Sequence, residues 1–184
     1  MRAKGAELIP GEPADEKLLH EMIDAPLGDR SAWKAKWPKL TDYSVPLGQA
    51  KVSHPGADLT LVTHGRMATV CLDVARRFAA EGRGSIEVLD LRSLIPYDWE
   101  AVKASIRKTG RVVFVNEETE ISNFGEHLIR RLVDEMFYEL KVRPRLLAGK
   151  ACPGIGLSPN LEYFTQPQTA DVERVAAEAL AEAA

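Results

Sequence analysis

Leu59-Thr60-Leu61-Val62-Thr63-His64-Gly65-Arg66-Met67 is the stretch that decides the fold. Its first five residues are leucine or β-branched, which suits a strand buried on both faces. Two polar residues and a glycine follow, and a helical pattern begins at once. The same event recurs at Ile86-Glu87-Val88-Leu89-Asp90-Leu91-Arg92 and at Arg111-Val112-Val113-Phe114-Val115-Asn116-Glu117. Repeated strand-then-helix units imply a parallel sheet in an α/β domain. Ligands and partners of such sheets gather beyond the carboxyl ends of the strands. His64, Arg92 and Asn116-Glu117 therefore fall on one edge of one domain.

The helices between these strands are legible from periodicity. Met67, Val70, Cys71, Val74, Ala75 and Phe78 recur at i, i+3, i+4 and predict a helix over residues 66–80, stopped by Gly82 and Gly84. Asp98 is placed to cap a helix carrying Trp99, Val102 and Ile106, and Gly110 ends it. Asn123 with Glu126 forms a capping-box pair for a longer helix. One face of that helix carries Phe124, Leu128, Leu132 and Met136. Ile129, Val133, Phe137 and Leu140 widen the stripe, so burial on two sides is expected. A fourth strand is expected over residues 143–148, then a Pro/Gly-rich loop over Cys152–Pro159, then an alanine-rich helix from about Thr169.

Residues 1–57 differ in character and are expected to form an arm, with the α/β domain over residues 58–184. A short helix is plausible over Ala14–Ile23. Beyond it come Pro26, Pro38, Pro46 and Pro55, interleaved with Trp33, Trp37 and Tyr43. A free linker is poor in aromatics, so the arm is expected to dock on a surface.

Composition excludes several function classes. The chain has 184 residues and 45% hydrophobic content, enough for one core. A formal net charge of -3 gives no electrostatic case for nucleic acid or an anionic membrane. No apolar run approaches the roughly 20 residues that cross a bilayer. Met-Arg-Ala-Lys-Gly at the start reads as neither signal nor transit peptide. The two cysteines, Cys71 and Cys152, show no metal spacing, which fits a reducing, cytoplasmic setting.

Each candidate site residue has two readings. His64 could touch a substrate, or simply end a strand while Gly65 makes the turn. Arg92 could hold a carboxylate or phosphate with its planar fork, or pair with Asp90 or Asp98. Glu117, in Glu117-Glu118-Thr119-Glu120, could supply a proton-handling carboxylate or belong to a solvated loop. His20, His54, His64 and His127 make no zinc-type ligand pairs. Gly154-Ile155-Gly156 lacks the third glycine of a dinucleotide fingerprint, and there is no phosphate loop or nucleophile elbow. From the residues alone the chain is a doubly wound α/β domain with a polar edge and no complete catalytic set.

The ordered strings GADLTLVTHGRM, EVLDLRSLIPYD, KTGRVVFVNEETEISNFGEHL and SPNLEYF, led in by YSVPLGQAKV, resemble the C-terminal domain of the transketolase superfamily. The nearest form is similar to that of the β subunit of thiamine-dependent 2-oxo acid dehydrogenases of the pyruvate and branched-chain type. Three places depart from the pattern. His64 stands where an aromatic is common, Asn116 where histidine is frequent, and Ser122-Asn123 where Gly-Gly is usual. The resemblance implies a mostly parallel, mixed sheet of about five strands with helices on both faces. It implies a piece of a longer polypeptide, linked by the arm to a missing pyrimidine-binding domain. Thiamine diphosphate and Mg2+ would then be bound by domains absent here, with no cofactor or metal held by this chain. The implied partners are a second copy, the other dehydrogenase domains or subunit, and the subunit-binding domain of a dihydrolipoyl acyltransferase. An arginine matching Arg92 reaches the substrate entrance in some superfamily members; His64 and Glu117 would line the same rim. The chain would be inactive alone. Two competing readings are the equivalent domain of a transketolase or deoxyxylulose-phosphate synthase, and a stand-alone flavodoxin-like module that binds flavin or nucleotide.

Overall fold

The structure is a computed structural model that describes residue 17, residues 44–152, residue 154 and residues 158–183. The chain divides into two units, Met1–Pro46 and Leu47–Ala184. The helix expected over Ala14–Ile23, apart from residue 17, and the tryptophan-bearing arm lie outside the described residues, as does part of the Cys152–Pro159 loop.

The second unit is built on one five-stranded sheet. Its strands are β1 (Lys51–His54), β2 (Leu59–Thr63), β3 (Ile86–Asp90), β4 (Val112–Thr119) and β5 (Arg145–Gly149). They lie in the order β1-β3-β2-β4-β5. Every pair is parallel except β1–β3. The helices are α1 (Arg66–Ala80), α2 (Trp99–Thr109), α3 (Phe124–Met136), α4 (Pro159–Thr165) and α5 (Thr169–Ala181). The mostly parallel, mixed α/β architecture is the one expected.

Alternation along the strands divides the core between two faces. Val62, Leu89, Val112 and Phe114 join Trp99, Val102 and Ile106 of α2 and Leu128, Leu132 and Met136 of α3 in one buried cluster. On the opposite face α1 and α5 pack against the sheet and each other. They bury Met67, Val70, Cys71, Val74 and Phe78 with Val172, Val175 and Ala176. Each such side chain contributes roughly 1.5–3 kcal/mol by leaving water. One polar island lies under α2. Glu87 is 2% exposed on β3. It accepts from the Ser105 hydroxyl at 2.5 Å and pairs with Lys108. Thr60 bonds Ser105 and Thr109 at 2.8 and 2.9 Å, which closes the network.

The capping expectations hold. Asp98 accepts the Ala101 N–H at 3.1 Å, Gly110 ends α2 in the left-handed region, and Asn123 and Glu126 form the capping box of α3. The structure also departs from expectation at four places. The sheet starts before residue 58: β1 lies in the stretch expected to be arm. It is an edge strand with exposed Lys51 and Val52, so it lacks the apolar alternation that marks β2 and β3. Strand β4 runs four residues past Val115, which puts Glu117 inside the strand rather than after it. Helix α4 follows the loop that Pro and Gly marked. Finally, α3 is buried on one side only: Val133 and Phe137 are 41% and 57% exposed.

Candidate functional site

The chain leaves β2 for β3 on one side and then crosses back for β4 on the other. The crevice at the carboxyl ends of β2 and β4 is therefore a topological switch point. Thr63 pairs in register with Val115 of β4 and with Asp90 of β3, which sets the three strand ends side by side.

Two of the three candidate residues meet at the crevice. His64 leaves β2 just before Gly65, whose backbone adopts φ +61 to turn into α1. The His64 Nε2 atom is buried without a hydrogen bond, 3.9 Å from Glu118 Oε1. Its ring meets Phe124 edge-on at 6.3 Å. Beside it Arg66 Nη1 lies 3.8 Å from Glu117 Oε2. One loose ion pair and one histidine–carboxylate contact thus span the crevice from α1 and β2 to β4. Half-exposed pairs at this separation are each worth at most about 1 kcal/mol.

Arg92 stands on the other flank. It is exposed and adopts φ 61, an uncommon conformation for a residue with a Cβ. The ion pair expected with Asp90 or Asp98 does not form. Asp90 instead accepts the Arg92 backbone N–H at 3.0 Å, and Asp98 is committed to the α2 cap and to the Ala50 N–H. No bond joins Arg92 to His64 or Glu117 among the described residues.

A second cluster, which the sequence reading missed, lies next to the crevice. Tyr97 meets Phe124 edge-on at 5.3 Å and His127 at 5.8 Å. Arg131 Nη1 donates to the Tyr97 hydroxyl oxygen at 2.8 Å, and that oxygen lies 2.9 Å from His127 Nε2. Arginine can only donate, and the roles of the phenol oxygen and His127 Nε2 toward each other follow the imidazole tautomer. Arg131 also lies over the Trp99 ring at 4.6 Å and bonds Glu135 at 2.7 Å. The Trp99 indole N–H donates to Glu135 at 2.7 Å. Trp99 and then Arg131 hold the Glu135 carboxyl below its ordinary value, and Glu135 and then Tyr97 hold the Arg131 guanidinium above its own. The signal was present as spacing: His127, Arg131 and Glu135 recur every four residues and share one row of α3.

The departures from the family pattern have physical places. Asn116 and Asn123 bond each other reciprocally at 2.7 and 2.8 Å while almost fully buried, so two of the unusual residues form one pair. Ser122 adopts φ 60, a conformation glycine takes without strain. Among the described residues no group of three or more His, Cys, Asp or Glu could hold a metal ion. None of their helices is long and apolar enough to cross a membrane.

The family model described as transketolase, C-terminal domain, matches residues 48–172. The chain belongs to this family. The β subunit of the pyruvate dehydrogenase E1 component of Rhizobium meliloti is 35% identical over 135 residues, covering 73% of this chain and 29% of that protein. The 3-methyl-2-oxobutanoate dehydrogenase subunit beta of Mycobacterium tuberculosis is 40% identical over 96 residues, 52% of this chain and 28% of that protein. A solved structure described as split gene transketolase, inactive beta4 tetramer, superposes with a TM-score of 0.65 at 27% identity. It covers 79% of this chain and 47% of that one. This transketolase C-terminal domain therefore spans under a third of the first two relatives. The ion-paired crevice and the Tyr97–His127 cluster both belong to it.

Proposed function

We propose that this chain is the assembly domain of a thiamine diphosphate-dependent 2-oxo acid dehydrogenase, the component that decarboxylates a 2-oxo acid and passes the acyl group to a lipoyl carrier. The observation that carries the reading is the similarity to dehydrogenase β subunits, beside a family match over residues 48–172 that takes in the whole sheet. The chemistry of the crevice agrees. Glu117 and Glu118 repel a diphosphate; Arg66 already faces Glu117, and the His64 ring faces Glu118. The residues present do not fit the cofactor, so in this reading thiamine diphosphate and Mg2+ belong to other domains and this chain contributes a wall and a contact surface. The same carboxylates count against a flavodoxin-like phosphate site.

The partners in this reading are a second copy of the chain, the remaining dehydrogenase domains, and the subunit-binding domain of the acyltransferase. The tetrameric state in the description of the split-gene relative supports self-association. Arg92, exposed at the end of β3, is the residue we assign to the substrate entrance, with His64 and Glu117 on the neighbouring rim. Two free cysteines, one of them exposed, favour a reducing compartment such as the cytoplasm.

The likeness to a split-gene transketolase favours one second reading, the equivalent domain of a sugar-phosphate transferase. One experiment separates them. The purified chain is assayed with thiamine diphosphate and Mg2+, alone and with the cofactor-binding domains of a dehydrogenase. Turnover of pyruvate or a branched-chain 2-oxo acid only in the reconstituted mixture supports the proposal. Turnover by the chain alone refutes it, and turnover of a sugar phosphate supports the second reading.

A further inference from the structure

Three arginines meet at the amino ends of two neighbouring strands, the end of the sheet opposite the crevice. Arg111 directly precedes β4, and Arg143 and Arg145 flank Pro144 at the start of β5. Arg145 stands in register with Val113, so parallel pairing brings these strand starts together. All three arginines reach the last turn of α5 and its C-cap, Glu182. Arg111 Nη2 donates to the Glu182 carbonyl at 3.2 Å, Arg145 Nη2 to the Glu182 carboxylate at 2.6 Å, and Arg145 Nη1 to the Glu178 carboxylate at 2.9 Å. Arg143 Nε lies 3.7 Å from Glu182.

Two features of this cluster exceed what tying down a helix requires. Positive charge is in excess. Three guanidinium groups face Glu178 and Glu182, and Glu178 is shared with Arg174, which also lies 3.9 Å from Asp171. Arginine stays protonated across the whole working range of pH, so the excess is permanent. The second feature is a pair of idle donors. The Nε atoms of Arg111 and Arg145 are both buried and make no hydrogen bond among the described residues. A buried N–H without an acceptor is costly, and native structures rarely leave one. The carboxylates of the last turn engage Nη groups and leave both Nε–H groups unused. Glu182 is also the group best able to leave, since its side chain is 30% exposed and helix ends fray.

We propose that Arg111, Arg143 and Arg145 form a site for a small phosphate-bearing anion, and that Glu182 is its built-in competitor. A phosphoryl group carries roughly 1.5–2 negative charges at pH 7 and three strong acceptor oxygens. The planar fork of arginine matches that geometry through two parallel N–H bonds. As the anion enters, the Glu182 carboxylate turns out to solvent, the idle Nε–H groups gain acceptors, and the excess charge is met. With the site empty, the last turn of α5 is tied to the starts of β4 and β5. With the site filled, that turn is released. The inference stands apart from the function proposed above, because it uses no residue of the crevice.

The test uses the full, isotope-labelled chain and follows the arginine Nε–H resonances by NMR. Inorganic phosphate and glycerol phosphate are titrated separately, against sodium chloride at equal ionic strength. The Arg111 and Arg145 signals are expected to shift saturably with phosphate and to ignore chloride. Saturation by both probes assigns the site to any phosphoryl group, and saturation by one of them identifies the source. Glu182→Gln removes the competitor and is expected to tighten binding about two- to fivefold, the worth of a partly exposed ion pair. Arg143→Gln, at a side chain 72% exposed, is expected to weaken it by a similar factor without loss of the fold. No saturable shift with either phosphate, or an equal shift with chloride, overturns the site. An affinity that Glu182→Gln lowers or leaves unchanged overturns the competitor and reduces the cluster to a helix anchor.

Discussion

Replacing the buried Asn123 with alanine removes a helix cap and a buried amide pair beside the crevice. The Asn123 side chain accepts the Gly125 N–H at 2.6 Å as the α3 cap, and donates to the Thr119 carbonyl at 2.8 Å. A longer bond runs to the Glu118 carbonyl at 3.4 Å, and two more join Asn116, which is 2% exposed. Loss of an N-cap costs about 1 kcal/mol. The Asn116 amide is left with an unsatisfied buried donor and acceptor, which adds about 1–3 kcal/mol. The expected total is about 2–4 kcal/mol, read as the change in urea midpoint at constant slope. For a domain of this size that lowers Tm by roughly 4–16 °C. Asn116→Ala combined with Asn123→Ala leaves no orphaned amide, so its cost should fall below the sum of the single changes by about 1–2 kcal/mol. Because Asn123 fixes the start of α3, the Phe124 and His127 resonances should shift in the single variant as well. A loss under about 0.5 kcal/mol, or strict additivity of the pair, would refute the reasoning.

Three further outcomes follow from particular contacts. A Cβ at Gly56 would sit 2.2 Å from the backbone of Ile86 and Glu87, so Gly56→Ala should cost more than about 2 kcal/mol in denaturant unfolding, with the turn into β2 and the start of β3 forced apart. Burial pushes the Cys71 thiol up to about 12, only partly opposed by the neighbouring Thr63 hydroxyl, whereas Cys152 is exposed. Native protein at pH 8 should therefore take up one equivalent of iodoacetamide, at Cys152 by mass spectrometry, and a second only on unfolding. Glu135 has a lowered folded value, so its contribution to stability is present above the ordinary carboxylate range and is lost as pH falls through that lowered value. The Trp99 indole N–H resonance should stay in place at pH 5 and move only well below the usual glutamate titration, and Glu135→Gln should abolish that movement.

Much of the fold was legible because its signals were local. Apolar residues fall on both faces of β2 (Leu59, Leu61, Val62) and of β3 (Ile86, Val88, Leu89), as a central strand of a covered sheet requires. Asp98, Gly110 and the Asn123–Glu126 box each satisfy helix-end groups that must be satisfied somewhere. What escaped was non-local. Strand β1 is an edge strand held by β3, so its exposed Lys51 and Val52 carry no pattern. The extension of β4 through Glu117 depends on pairing with β5 at Thr119 and Gly149, which no stretch of β4 reveals.

The site was legible in position but not in partnership. Strand ends placed His64, Arg92 and Glu117 on one edge. Only the sheet order shows that His64 and Glu117 flank one crevice while Arg92 stands apart. The ion pair expected for Arg92 failed because Asp90 and Asp98 are spent on backbone N–H groups. The four-residue spacing marks the His127–Arg131–Glu135 row, but its contacts with Tyr97, 30 and 34 residues away, are non-local. Helix α3 was expected to be covered on two sides, whereas Val133 and Phe137 stand exposed.

The central claim is that the crevice is a wall of a larger site and does not itself hold the cofactor. Isothermal titration of the full chain with thiamine diphosphate and Mg2+ tests it most directly. The account predicts no saturable heat for the chain alone and saturable binding once the complementary dehydrogenase domains are added. Saturable binding by the chain alone, weakened by Glu117→Arg or by His64→Ala, would contradict it.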